Sequence, residues 1–247
     1  MTKNIGKDFM RNTYYDRMEP SQQSRGIPQP PLELPIPEGA ELIPLKQPID
    51  LNMPVIDLRT AIEQRKTWRK YTEESLTMDE LSYLLWTTQG VKTVTNRPVT
   101  FRTVPSAGAR HAFETYLLIN HVEGLEPGLY RYVAMEHALL PLKKDEALPA
   151  QLSTACLKQS KIARSAVSFF WVAVQERMYW RYGERGYRYL HLDAGHVCQN
   201  LYLVAEVMNC GVCGIAAFDD DLLNTTLELD GEDMFVVYAA SLGKKAS

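Results

Sequence analysis

The run TYLLINHVEGLEPGLYRYV, residues 115–133, decides the fold class. Residues 115–120 and Leu129 to Val133 are rich in the aliphatic, aromatic and β-branched side chains that suit a pleated, half-buried surface. Between them, Gly124-Leu125-Glu126-Pro127-Gly128 supplies turn chemistry, so a hairpin-like pair of strands is expected. Downstream, SFFWVAV (168–174) is the apolar run of a strand covered on both faces and central in its sheet, followed by a polar loop RMYWRYGERGYRY, 177–189. Cys210 to Phe218 and Met234 to Leu242 read as two further strands, the second closing the sheet.

Helices lie between these strands. Asp57 can cap Leu58 to Arg65, and the capping box Thr77-Met78-Asp79-Glu80 opens a helix with Leu81, Leu84 and Leu85 on one face, ended by Gly90. Leu190 to Met208 is interrupted only by Gly195 and is apolar around most of its circumference, with Asp193, His196, Gln199, Asn200 and Glu206 as one polar stripe. Such a helix is expected to be buried, in the core or at a subunit interface. Asp219 or Asp220 can cap a short helix before the last strand. Hairpins interleaved with helices predict an α+β fold with a mixed, mainly antiparallel sheet flanked by helices.

Nine of the 14 prolines fall before residue 55. Proline lacks the donor that helices and ladders need, so residues 1–54 read as an extended Pro-rich arm lying along an apolar groove of this or a partner subunit, with a disordered leader as the alternative. Residues 55–247 form the expected folded domain.

With 247 residues the chain can bury one substantial core. Its 27 basic and 30 acidic residues give a net charge of −3 without basic blocks, which argues against nucleic acid as a partner. No apolar run reaches the roughly 18 residues of a membrane span, the N-terminus lacks a secretory apolar region, and four cysteines are too few for a disulfide scaffold. A cytoplasmic protein without membrane segments is expected.

Arg65-Lys66-Thr67-Trp68-Arg69 alternates two guanidinium groups with a hydroxyl, so an extended backbone would aim all three to one side as a phosphate claw. The other reading is a solvated basic helix end. Pro105-Ser106-Ala107-Gly108-Ala109 is a small-residue loop that would let backbone approach a planar ligand, or a plain turn. Cys210-Gly211-Val212-Cys213 has dithiol or zinc spacing, but no second CxxC completes a structural zinc site; packed apolar cysteines are the alternative. No metal site is expected.

Taken in order, RKTWRKYTEESLTMDELSYLLWTTQGV, TVPSAGARHAFETYLLI, GLEPGLYRY, RYGERGYRYLHLDAGHVCQNLYLVAE and FDDDLLNTTLELDGED resemble the nitroreductase family of flavoproteins over roughly residues 55–243. The likeness is strongest to its azoline dehydrogenase branch, of streptolysin-type peptide maturation. The resemblance implies a nitroreductase-like fold and an intertwined homodimer with FMN at the subunit interface. It also implies NAD(P)H as electron donor and a small conjugated acceptor of nitro or quinone type as substrate. Arg65, Thr67 and Arg69 match the family's Arg-Ser-x-Arg element for the FMN phosphate and ribityl chain, with Thr for Ser. Pro105, Ser106, Ala107 and Gly108 match the loop that lines the isoalloxazine ring, Cys213 and Gly214 fall where backbone passes the flavin, and Lys244 lies near a basic residue that reaches the phosphate. Arg181-Tyr182 stands where the azoline branch has a catalytic Lys-Tyr pair; Arg cannot be deprotonated as Lys can, and a salt bridge to Glu184 is its structural alternative. Azoline oxidation, or flavin binding without turnover, therefore stand as rival activities.

Overall fold

The computed structural model describes residues 4–246. In chain order its elements are α1 (Ile5–Asn12), β1 (Ile43–Pro44), α2 (Leu58–Gln64), α3 (Met78–Gln89), β2 (Val91–Val94), β3 (Thr100–Arg102), β4 (Phe113–Ile119), β5 (Gly128–Val133) and β6 (Ala138–Lys143). There follow α4 (Leu148–Ala155), α5 (Lys161–Arg164), β7 (Val167–Val174), α6 (Gln175–Tyr182), α7 (Gly186–Ala205), β8 (Cys210–Ile215), α8 (Asp220–Thr226) and β9 (Met234–Lys244). Seven strands make one sheet in the order β1-β6-β5-β4-β7-β9-β8, and β2 pairs with β3 separately. Every ladder of the large sheet is antiparallel; among the described residues parallel pairing is confined to the isolated bridges Thr67–Val212 and Leu76–Val122.

The hairpin is where the sequence puts it: β4 and β5 pair from Thr115↔Tyr132 to Ile119↔Gly128. Strand β7 lies between β4 and β9. Its alternate residues feed two cores, Val167, Phe169, Trp171 and Ala173 on one face and Phe170 and Val172 on the other. The first core is closed by Leu81, Leu84 and Leu85 of α3 and by Leu190, Ala194, Val197 and Leu201 of α7. The second is closed by Leu148 and Leu152 of α4, Ile162 of α5 and Leu223 of α8. A strand with both faces covered has no polar alternation, which is why it reads as a continuous apolar run.

Caps set the helix starts. Asp57 accepts the Thr60 N–H at 2.9 Å and Asp219 that of Leu222 at 3.0 Å. In the capping box, Glu80 donates its N–H to the Thr77 hydroxyl at 3.2 Å while its carboxylate accepts the Thr77 N–H at 2.9 Å. Gly90 follows the last turn of α3.

Residues 177–189 are not a loop. β7 runs directly into α6, which continues to Tyr182, and Gly183, at φ +52°, breaks the path before α7 starts at Gly186. The polar letters mislead because Arg177 is buried, its guanidinium 2.6 Å from the equally buried Glu114 carboxylate. In the long helix Leu190, Ala194, Val197, Cys198 and Leu201 face the core, whereas His191, Leu192, His196 and Gln199 are exposed on the single chain.

The N-terminal segment is extended only in part, since Ile5–Asn12 is helical. Beyond it the chain lies on its own subunit, with Leu45 in the first core and Ile43 and Met53 packed against that core, and buried charges pin it as well. Arg177 donates to the Pro31 carbonyl at 2.8 Å, Glu114 accepts the Leu34 N–H at 2.9 Å, and Arg131 reaches the Leu34 and Pro35 carbonyls at 3.2 and 3.0 Å. Proline-rich backbone leaves carbonyls without ladder partners, and buried guanidinium groups satisfy them.

Candidate functional site

After α2 the chain runs extended along β8. Thr67 bridges Val212 in parallel, and Trp68 donates its N–H to the Val212 carbonyl at 2.9 Å. Trp68 lies against Gly211, where a Cβ would come within 2.5 Å of it. The Tyr71 hydroxyl fixes the following turn, 3.1 Å from the Trp68 carbonyl and 2.8 Å from the Ser241 hydroxyl. In an extended stretch side chains alternate. Lys66 stacks on Trp68 on one side, its ammonium 4.3 Å from the ring, while Arg65 and Thr67 on the other side both meet Tyr202 of α7. Arg69 is exposed, and among the described residues neither Arg65 nor Arg69 has an acidic partner. Two unpaired guanidinium groups alternating with a hydroxyl are a donor set that suits a phosphate ester.

A second cluster forms around Pro105 to Gly108. Asp193 of α7 accepts the Ala107 N–H at 3.2 Å, and Ser106 accepts the His111 N–H at 2.9 Å. Burial raises the Asp193 carboxyl above the usual range, against the lowering effect of the Ala107 bond, and its Oδ2 is without a partner among the described residues. Gly108, at φ +57°, directs its carbonyl to the Arg110 Nε at 3.0 Å, and Arg110 stacks 5.2 Å from the Trp180 ring. Arg181 and Tyr182 close on Gly108: a Cβ there would lie 2.5 Å from the Tyr182 hydroxyl and 2.7 Å from the Arg181 Nε. Arg181 donates to the Gln23 side chain at 3.1 Å, rather than to Glu184, and Tyr182 packs edge-on to Tyr189 with ring centres 4.7 Å apart.

The tertiary structure thus brings Pro105–Gly108 together with Arg181 and Tyr182, and Arg65, Thr67 and Gly214 together around Tyr202. It does not join the two groups within one chain. Tyr202 lies nine positions beyond Asp193 on α7, roughly 13 Å along the axis and two and a half turns round it, hence on the other side of the helix. Lys244 stands apart from both: its ammonium pairs with Glu80 and donates to the Met208 carbonyl at 3.2 Å.

Cys210 and Cys213 are three residues apart on β8, so they face opposite sides of the sheet, Cys210 in the core under α7 and Cys213 in the other. Both are free, and burial pushes the Cys210 thiol up to about 12. They do not form a dithiol pair. Any role of Cys213 at the site comes from its backbone, beside Gly214.

A model of the Nitroreductase family matches residues 62–244, which hold both clusters. The chain belongs to the nitroreductase family. Within the family it is 36% identical over 174 residues to "Putative nitroreductase MJ1384" of Methanocaldococcus jannaschii, covering 70% of this chain and 85% of that protein. It is 28% identical over 133 residues to the trifolitoxin-processing protein TfxB of Rhizobium leguminosarum bv. trifolii, 52% of this chain and 36% of TfxB. A crystal structure of a protein from Anabaena variabilis, also described as a nitroreductase, superposes with a TM-score of 0.69 at 30% identity, over 85% of this chain and 42% of that one. This chain therefore spans less than half the length of the TfxB and Anabaena proteins. Nitroreductase-family proteins are typically flavin-dependent, and this chain is an oxidoreductase of that family. Among its described residues no helix is long and apolar enough to cross a membrane.

Three residues of these two clusters escape a sequence reading. Tyr202 sits in an apolar helix and reads as core, Arg110 follows a small-residue loop and reads as surface, and Asp193 merges into a polar stripe. Asp193 and Tyr202 act on loops 86 and 135 positions away, and Arg110, though only two positions from Gly108, is held by the distant Trp180 ring, so no local spacing announces them.

Proposed function

We propose that this nitroreductase-family protein binds FMN non-covalently and moves hydride from NAD(P)H to a small conjugated acceptor of nitro or quinone type. The observation that carries this reading is the pair of unpaired guanidinium groups, Arg65 and Arg69, with Thr67 between them on a backbone locked to β8. They would hold the phosphate, while Pro105–Gly108 would lie along the ring, where glycine and small side chains let backbone come close. When bound, FMN supplies a hydride carrier at N5. The chain's own work is to bind, orient and shield: Asp193 and Arg110 fix the loop from behind, and Tyr182 and Tyr189 wall one side of it.

The two groups lie on opposite sides of α7, so a complete site takes one group from each of two copies. Homodimer formation is part of the proposal, and the exposed apolar side chains Val55, Leu58 and Ile62 beside α2, with Leu192 on α7, support it. Freshly purified protein is expected to show flavin absorption near one FMN per chain that bleaches anaerobically with NADH or NADPH, and to elute as a dimer. Colourless protein that stays colourless with added FMN would end the proposal.

The placement of Tyr182 against Gly108 favours a second reading, oxidation of thiazoline or oxazoline rings in a peptide, as does the likeness to the trifolitoxin-processing protein. That reaction removes a ring proton as hydride leaves, and the phenolate form of Tyr182 would be the group to take it and become the phenol, since an arginine cannot act as base. Flavin that is not bleached by either nucleotide but is bleached by an azoline-containing peptide would select this reading. Flavin bleached by neither would leave a flavin-binding protein without turnover.

A further inference from the structure

Tyr202 meets three groups from two separate segments. The Gly214 N–H donates to its hydroxyl at 2.8 Å, its oxygen is 3.3 Å from Thr67 Oγ1, and the Arg65 guanidinium lies over its ring at 5.4 Å. The amide end of this chain is rigid: Gly214 is locked in the β8–β9 ladder opposite Ala240, with Tyr238 filling the space where a side chain would be. The Thr67 end is exposed.

A phenol has one proton and two lone pairs. With one lone pair taken by the Gly214 amide, its proton is free to go to Thr67, and a phenol is the stronger donor of the two hydroxyls. Thr67, having accepted, turns its own proton outward, on the side where Arg65 and Arg69 stand. Hydrogen bonds arranged head to tail polarise one another, so the last donor in the series is strengthened.

We propose that Tyr202 is a positioning residue that orients the Thr67 hydroxyl proton toward a phosphate oxygen held by Arg65 and Arg69, through the series Gly214 N–H to Tyr202 O–H to Thr67 O–H. The proposal rests on the claw's being the phosphate site. Tyr202→Phe keeps the ring and the Arg65 stack and removes only the hydroxyl.

The test is titration of the full-length apoprotein with FMN and, separately, with riboflavin, which lacks the phosphate, for the parent, Tyr202→Phe, Thr67→Val and the double variant. Tyr202→Phe is expected to weaken FMN binding about tenfold, the loss of one hydrogen bond to a charged group, and to leave riboflavin binding unchanged. Thr67→Val is expected to do the same, and the double variant to be no weaker than Thr67→Val alone, because both remove one series. A parent-like FMN affinity in Tyr202→Phe, equal losses for FMN and riboflavin, or losses that multiply in the double variant would each overturn the role of Tyr202. A parent that binds riboflavin as tightly as FMN would overturn the claw itself, and the role of Tyr202 with it. Thr67 is exposed, so its variant reads the series even where Tyr202→Phe folds poorly; unchanged FMN binding in Thr67→Val also overturns the proposal.

Discussion

Gly108 and Tyr182 are in mutual contact although 74 positions separate them: a Cβ on Gly108 would sit 2.5 Å from the Tyr182 hydroxyl, and the glycine holds φ +57°. A side chain here is strained twice, by backbone and by neighbour. Gly108→Ala is expected to fold with a stability loss of about 1–2 kcal/mol and to displace Tyr182. Thermal unfolding measures the first and tyrosine environment by near-ultraviolet circular dichroism the second; an unaltered near-ultraviolet spectrum would show that the contact does not set the position of Tyr182.

The claw makes a direct prediction. Arg65→Ala with Arg69→Ala removes two charge-assisted donors that make no ion pair among the described residues, so the protein is expected to keep its fold and lose FMN affinity by at least about a hundredfold, purifying colourless. Stoichiometric flavin in this variant would place the phosphate elsewhere.

The N-terminal segment depends on a buried ion pair. Arg177 and Glu114 are 2.6 Å apart, each almost fully buried, and both also hold backbone of residues 31–34. Removing one partner leaves a buried charge alone, so Arg177→Ala is expected to cost about 3–5 kcal/mol. Limited proteolysis should then cut within residues 20–40 first. Equal protease resistance in variant and parent would mean that other contacts hold the segment.

His111 sets an acid limit. Burial, helped by the Arg102 cation, holds its imidazole down to about 3. An unfolded histidine takes up its proton near about 6.5, so in acid the unfolded state binds more protons, and stability present above that pH is lost as the pH falls toward the folded value. The urea midpoint should decline between about pH 6.5 and 4. Asparagine tolerates the φ of +43° at this position, so His111→Asn is expected to flatten that decline. Superimposable profiles would assign the acid sensitivity to another group.

Local chemistry is legible wherever the deciding interactions are between near neighbours in sequence. The capping box at Thr77, the cap at Asp57, the hairpin at 115–133 and the alternation of Arg65, Thr67 and Arg69 all follow from residues within a few positions of one another. The helix Gln175–Tyr182 is not legible, because the burial of Arg177 depends on Glu114, a residue 63 positions earlier.

What the sequence by itself determined is therefore the α+β architecture, the two-sided central strand and the residue types of the claw and the small-residue loop. Only the tertiary structure decided which of these meet. It set Tyr182 against Gly108, Tyr202 between Thr67 and Gly214, and Lys244 with Glu80. The physical reason is that propensity, capping and turn chemistry act over a turn of helix or a single hairpin, whereas these contacts are fixed by sheet register and by the packing of α7 across the sheet, which no local pattern encodes.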